Sequence, residues 1–193
     1  AENIVVVDPS ATAQSAARAS GLIRATESAT DTDLKADLIV LAVKPQITNI
    51  ALSPLAHRVS TNASVLSIIA GINSASLTNL LGLPSDEAVV RSMPNTPALV
   101  GEGMTGLFSN SDQRAHGRIL AERVMSAVGQ CVWVSNESAL DLVPAISGSG
   151  PAYFFLFIAG LAGADVELGM SPRAAPRPPV RTLSPARKPA RGR

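Results

Sequence analysis

The sequence predicts an α/β protein built on a doubly wound, mostly parallel sheet. Two observations predict it. Short aliphatic runs, Ile4–Val7 and Leu38–Val43 among them, are apolar at every position rather than at alternate ones, which suits strands covered on both faces. Helical segments separate four such runs, the pattern of βαβ units with parallel strands. The arrangement expected is Rossmann-like, and ligands of such sheets bind at the carboxyl ends of the strands.

Each element follows from local signals. Ile4–Val7 is closed by Asp8 and ended by Pro9, and Ser10 can cap a helix over 11–19 that stops at Gly21. Leu38–Val43 is broken by Lys44-Pro45-Gln46, and a helix is expected over 47–59. Ser64–Ile69 ends at Ala70-Gly71, and a short helix over 75–81 stops at Gly82. Ala88–Arg91 is the fourth strand and runs into Met93-Pro94-Asn95-Thr96-Pro97. A strand over 104–108, a helix over 112–128 and a strand over 132–134 complete a domain expected to span 1–135. From residue 136 to 170 the pattern is helical only: one segment over 138–146, a glycine-rich break at Ser147–Pro151, and a strongly apolar helix over 151–168. Residues 171–193 hold six prolines and seven basic residues, and disorder is expected there.

Composition excludes several classes. With 46% hydrophobic residues in 193, the chain can bury a core. A single cysteine, Cys131, excludes an internal disulfide framework and predicts a cytoplasmic protein. One cysteine and two distant histidines, His57 and His116, build no structural zinc site. The net charge of +1 hides a division: residues 1–170 carry nine Lys and Arg against fifteen acids, while 171–193 carry seven bases and no acid. No nucleic-acid partner is therefore expected for the folded part. The first 20 residues have no secretory pattern, and the longest apolar run, Pro151–Ala164, is short of the roughly 20 residues a membrane span needs. The first residue is Ala rather than Met, which predicts a processed start or a missing upstream segment.

Candidate site residues lie at the strand ends. Asp8 can accept hydrogen bonds from the ribose of a dinucleotide, or simply cap the helix that follows; no G-x-G-x-x-G turn precedes it. Ala42-Val43-Lys44-Pro45 leaves the second strand, where Lys44 can meet a phosphate, a ribose or a nicotinamide, or be a polar loop residue. Ala70 and Gly71 are small enough to let a flat ring lie on the backbone, or form only a turn. Asn95 is held between prolines, which either positions its polar group toward the substrate or stiffens a connection. Ser147, Gly148 and Ser149 lead into a helix whose first N–H groups can hold a carboxylate; close helix packing is the alternative. They do not form the G-x-S-x-G turn of serine hydrolases. Glu137 alone reads as a helix-start acid. The helix over 151–168 is apolar nearly all round, so part of it needs a cover, and a subunit interface is the natural one.

The segments AVKPQ (42–46), SIIAGI (67–72), RSMPNTPALVGEGMTGL (91–107) and AISGSGPAYFF (145–155), in this order and spacing, resemble pyrroline-5-carboxylate reductase. The resemblance runs from about residue 3 to Gly169 and rests chiefly on MPNTP together with SGSGPAY. It implies NAD(P)H-dependent reduction of a cyclic imine acid to L-proline, a small-molecule substrate, and a homodimer or higher oligomer formed through the helical domain. It also implies cofactor roles for Ala42, Val43, Lys44, Pro45 and Ala70, and a place near the substrate for Glu137 and the loop 147–151. NADP is the cofactor the family implies first; Asp8 would favour NAD by repelling a 2′-phosphate, whereas Ser10 and Arg18 could accommodate one.

The sequence also departs from the family. Relative to its pattern, a first strand and its glycine-rich phosphate turn are absent, and Ala29, Pro144, Ala159 and Gly160 replace usual residues. After Gly169 the composition changes abruptly, which predicts a reading-frame shift, and without the phosphate turn and the family's partner-donated carboxylate loop little or no activity is expected. Two other functions compete. One is a non-catalytic fragment that associates through helix 151–168. The other is an oxidoreductase of hydroxy acids, which would need a lysine or histidine between Ser135 and Met170, where there is none.

Overall fold

The computed structural model describes residues 4–21, 24–30, 33–111, 115–143 and 148–186, without the side chains of Asp33, Asp141 and 182–186. It divides into two units, Ala1–Val143 and Pro144–Arg193. By packing, the first unit runs on to Val143, past the domain boundary expected at residue 135. The cause is α5 (Ala139–Val143), which packs on the sheet so closely that a Cβ built on Gly106 would lie 2.8 Å from Val143 Cγ2.

The first unit begins with β1 (Val5–Val7), α1 (Ala11–Ala19) and β2 (Arg24–Thr26). Ser10 caps α1, its Oγ accepting from Ala13 N at 3.4 Å. β1 and β2 pair in parallel as a two-stranded sheet of their own. β2 was not expected, because Arg-Ala-Thr carries no apolar run. The remaining strands form a second sheet: β3 (Leu38–Leu41), β4 (Ser64–Ser67), β5 (Val89–Met93), β6 (Gly103–Ser109) and β7 (Gly129–Trp133), in that order. Only the β5–β6 pairing is antiparallel. The fold is therefore the expected mostly parallel one, in two sheets rather than one.

Both faces of the larger sheet are covered. Along β4, Val65 packs with Leu52, Leu77, Leu81 and Val89, while its neighbour Leu66 packs with Val90, Leu107, Ala121 and Met125. This alternation is why the apolar runs show no polar face. β3 is the exception. It lies at the edge of its sheet, and Val40 stays 47% exposed despite an apolar sequence.

The helices refine the expectations in detail. The long helix over 47–59 is instead a 3-10 turn Pro45–Ile47, α2 (Thr48–Leu52) and a second 3-10 turn Ser53–Leu55. Pro54 cannot donate to a helical ladder, and its ring crowds the preceding turn. α3 (Ser74–Leu81) is capped by Asn73, whose Oδ1 accepts from Ser76 N at 2.8 Å, and closes at Gly82 with φ 63°. α4 (Ala115–Ser126) covers the opposite face through Gly117, where an added Cβ would meet Ser64 Oγ at 2.3 Å and Ser64 Cβ at 2.8 Å. Gly117→Ala is expected to lower stability by about 2 kcal/mol, and Ser64→Gly in the same chain to recover part of it, as read from urea midpoints.

The second unit holds α6 (Gly150–Glu167) and α7 (Arg177–Ala186). α7 corrects the expectation of disorder over 171–193 for the ten residues it spans. Its two adjacent prolines, Pro178 and Pro179, sit in the first turn, where helical N–H groups have no partner to lose. Residues 187–193 lie outside the described residues. On α6 the side chains of Tyr153, Phe154, Phe155, Leu156 and Phe157 are all exposed. Among the described residues no helix is long and apolar enough to cross a membrane.

Candidate functional site at the carboxyl edge of the sheet

Because β3, β4 and β5 are parallel and in register, the residues following them leave one edge of the sheet together. That edge gathers Ala42–Pro45, Ala70–Gly71 and Pro94–Pro97, three of the segments singled out in the sequence. Ile68 N donates to Leu41 O at 3.1 Å, so the turns after β3 and β4 start side by side. Ala42, Lys44, Pro45, Ala70 and Gly71 are exposed, while Val43 packs against the core beneath them. The Lys44 carbonyl accepts from Ile47 N at 3.1 Å and Thr48 Oγ1 at 3.3 Å, which curls the chain back and leaves the ammonium outside. Lys44 has no ion-pair partner among the described residues. Gly71 takes φ 73° and has open space where a Cβ would be, so its backbone can be approached closely. An unpaired cation beside an open, small-residue ledge fits the phosphate, ribose or carboxamide of a dinucleotide.

Asn95 shows the stiffening role, one of the two the sequence left open. Its Oδ1 accepts from Met104 N at 2.9 Å and so ties the loop after β5 to the start of β6. That oxygen is committed to the fold, which favours the stiffening role over direct contact with substrate. Asp8 is at the carboxyl end of β1, in the two-stranded sheet. Its Oδ1 accepts from Ser10 N at 2.7 Å, and its carbonyl accepts from Gln14 Nε2 at 2.8 Å. The capping role is thus present, and the strand-end position remains.

Glu137 is the largest departure. Its Oε1 accepts from Ser74 N at 2.7 Å, Ser74 Oγ at 2.8 Å and Arg91 Nη1 at 3.1 Å. Arg91 is 4% exposed, at the third position of β5. Burial opposes ionisation of Glu137, but the bonds from Ser74 and Arg91 and the charge of Arg91 outweigh it, holding the carboxyl below the ordinary glutamate range. The expected substrate contact is therefore a clamp, which pins the segment before α5 to the start of α3 and to β5. Ser74 and Arg91 were missed as its partners. An arginine closing the apolar run Ala88-Val89-Val90-Arg91 was the available signal, since a buried guanidinium calls for a carboxylate.

In the second unit Gly148 and Ser149 precede α6, and Ser149 O accepts from Ala152 N at 3.1 Å. Ser147 and Pro144 lie outside the described residues. Ala29 packs on the core. Among the described residues no group of three His, Cys, Asp or Glu side chains could hold a metal ion.

Comparison with known proteins completes the picture. Residues 137–188 match the family model described as pyrroline-5-carboxylate reductase dimerisation. The pyrroline-5-carboxylate reductase of Haemophilus influenzae is 39% identical over 91% of this chain. The solved structure of a pyrroline-5-carboxylate reductase from Coxiella burnetii superposes with a TM-score of 0.82 at 33% identity, over 95% of this chain and 68% of that one. The chain belongs to the pyrroline-5-carboxylate reductase family. A Plasmodium falciparum pyrroline carboxylate reductase solved with NADP bound is similar at 29% identity and a TM-score of 0.70, over 85% of this chain and 64% of that one. This chain spans 64% of the length of the Haemophilus protein. The family match also corrects the expectation that the family pattern stops at Gly169. The match extends to residue 188, past Gly169.

Proposed function

We propose that this protein takes part in the reduction of 1-pyrroline-5-carboxylate to L-proline, with a reduced nicotinamide dinucleotide as the hydride donor. One observation carries the proposal: three family motifs leave a single edge of the parallel strands, the place where such sheets hold ligands. When bound, the reduced nicotinamide supplies a hydride to the C=N carbon. A protonated cyclic imine is already electrophilic, so the chain's own task is to position and desolvate. Lys44 offers its ammonium to the polar part of the cofactor. Val43, Ala42, Pro45 and Ala70 form an edge low enough for a ring to reach the backbone. In the helical unit, Gly148, Ser149 and the Gly150 N–H at the start of α6 suit the substrate carboxylate. We assign no proton donor.

The family match to a dimerisation model and the exposed aromatic face of α6 support a homodimer or larger homo-oligomer. The same face supports the non-catalytic alternative no better. A lone cysteine is consistent with the cytoplasm.

The test is direct. Purified protein is expected to bind NADH or NADPH, with turnover of the cyclic imine well below that of an intact enzyme of the family. A well-folded chain that binds neither dinucleotide would refute the assignment. Lys44→Met is expected to weaken binding of either dinucleotide about fivefold while leaving the unfolding midpoint unchanged, because Lys44 is exposed. An unaltered affinity would remove Lys44 from the site.

A further inference from the structure

We propose that this chain selects NAD over NADP, and that Asp8, with Glu27 beside it, makes the selection. The inference rests on the dinucleotide reading above and deepens it. Asp8 N donates to Thr26 O at 3.0 Å, so the ends of β1 and β2 lie together and Glu27, the next residue, leaves the same edge. The Asp8 carboxylate is held at the strand end by Ser10 N. An acid there accepts hydrogen bonds from the free ribose hydroxyls of NAD, whereas a 2′-phosphate brings like charge against it.

A 2′-phosphate would also need a cation, and among the described residues of β1, α1 and β2 none is placed for it. Residues 1–43 contain only three, Arg18, Arg24 and Lys35. Arg18, the residue the sequence offered as an acceptor of the phosphate, turns its Nη2 to Ala25 O at 2.6 Å and Gln14 Oε1 at 3.3 Å. Arg24 opens β2, three residues of strand away from the end where Asp8 sits, as the pairing Val5 with Arg24 requires. Lys35 closes a 3-10 turn ahead of β3, in the other sheet.

The experiment is an equilibrium titration of the native chain with NADH and with NADPH, followed by nicotinamide fluorescence, repeated on Asp8→Asn and Glu27→Gln. Asparagine keeps an Oδ1 for Ser10 N, so the cap survives while the charge goes. NADH is expected to bind at least about tenfold tighter than NADPH to the native chain. In Asp8→Asn that ratio is expected to collapse, chiefly by a gain in NADPH affinity, with a smaller fall in Glu27→Gln. Equal or tighter binding of NADPH by the native chain overturns the inference and leaves the dinucleotide reading standing. A ratio unmoved by Asp8→Asn overturns the role of Asp8. Binding of neither dinucleotide overturns the reading beneath it as well.

Discussion

Glu137→Ala is expected to destabilise the first unit by about 3 kcal/mol in urea unfolding. The substitution leaves the buried Arg91 without its counter-charge and strands the Ser74 N–H and hydroxyl at the start of α3. Removing one member of a buried pair costs far more than the pair is worth, because the survivor stays buried and charged. The converse change, Arg91→Met, is expected to cost less, since the Glu137 side chain is 27% exposed and can be hydrated. The pH dependence has a definite sign. The folded pKa of Glu137 lies below its unfolded value of about 4.3, so its stabilisation is fully present above that pH. It is lost as the pH falls through the lowered folded value. Glu137→Gln, which keeps an oxygen for Ser74 but no charge, is expected to flatten the acid limb of the stability curve. A Glu137→Ala chain unfolding at the native midpoint would show that the clamp contributes nothing.

The strands were legible where burial dictated composition. Ser64–Ser67 and Leu38–Leu41 are apolar or small throughout because helices cover both faces, or in the case of β3 one face and part of the other. β2 was not legible, since Arg24-Ala25-Thr26 becomes a strand only by pairing with β1, and pairing is a tertiary fact. The over-long helix after Lys44 was avoidable, because Pro54 stood in its interior. α7 was the opposite case: counting prolines suggested disorder, whereas Pro178 and Pro179 fall in the first turn, where a helix tolerates them.

The site divides in the same way. Ala42–Pro45 and Ala70–Gly71 could be picked out because strand ends are visible in sequence, and strand ends are where such sheets bind. The role of Glu137 could not, because its partners Ser74 and Arg91 lie 63 and 46 residues away. Arg18 taught the complementary lesson. A charged residue near a candidate site looked available until its hydrogen bond to Ala25 O was seen.

Gly129→Ala is expected to be as damaging as the loss of Glu137, for a steric rather than an electrostatic reason. Gly129 opens β7 opposite Gly103, which opens β6. A Cβ on Gly129 would fall 2.1 Å from Gly103 O and 2.5 Å from Gly103 N, and those atoms are backbone that cannot rotate away. Gly103 is held in turn, since its N–H donates to Val128 O at 2.9 Å and an added Cβ there would strike Val128 O and Ala98. Gly129 also has φ 154°, a conformation alanine adopts poorly. Relief therefore requires β7 to part from β6, at about 3 kcal/mol. The chain reports this itself. Its single tryptophan, Trp133, ends β7, donates from Nε1 to Glu122 Oε2 at 3.0 Å and stacks under Arg118 at 4.0 Å. Gly129→Ala is expected to lower the urea midpoint and shift Trp133 emission to the red together. Gly160→Ala, on α6 with nothing within 4 Å of the added methyl, is the matched control and is expected to leave both readings near native. Native emission and midpoint in Gly129→Ala would mean that the two glycines face each other without need, and that the start of β7 tolerates a side chain.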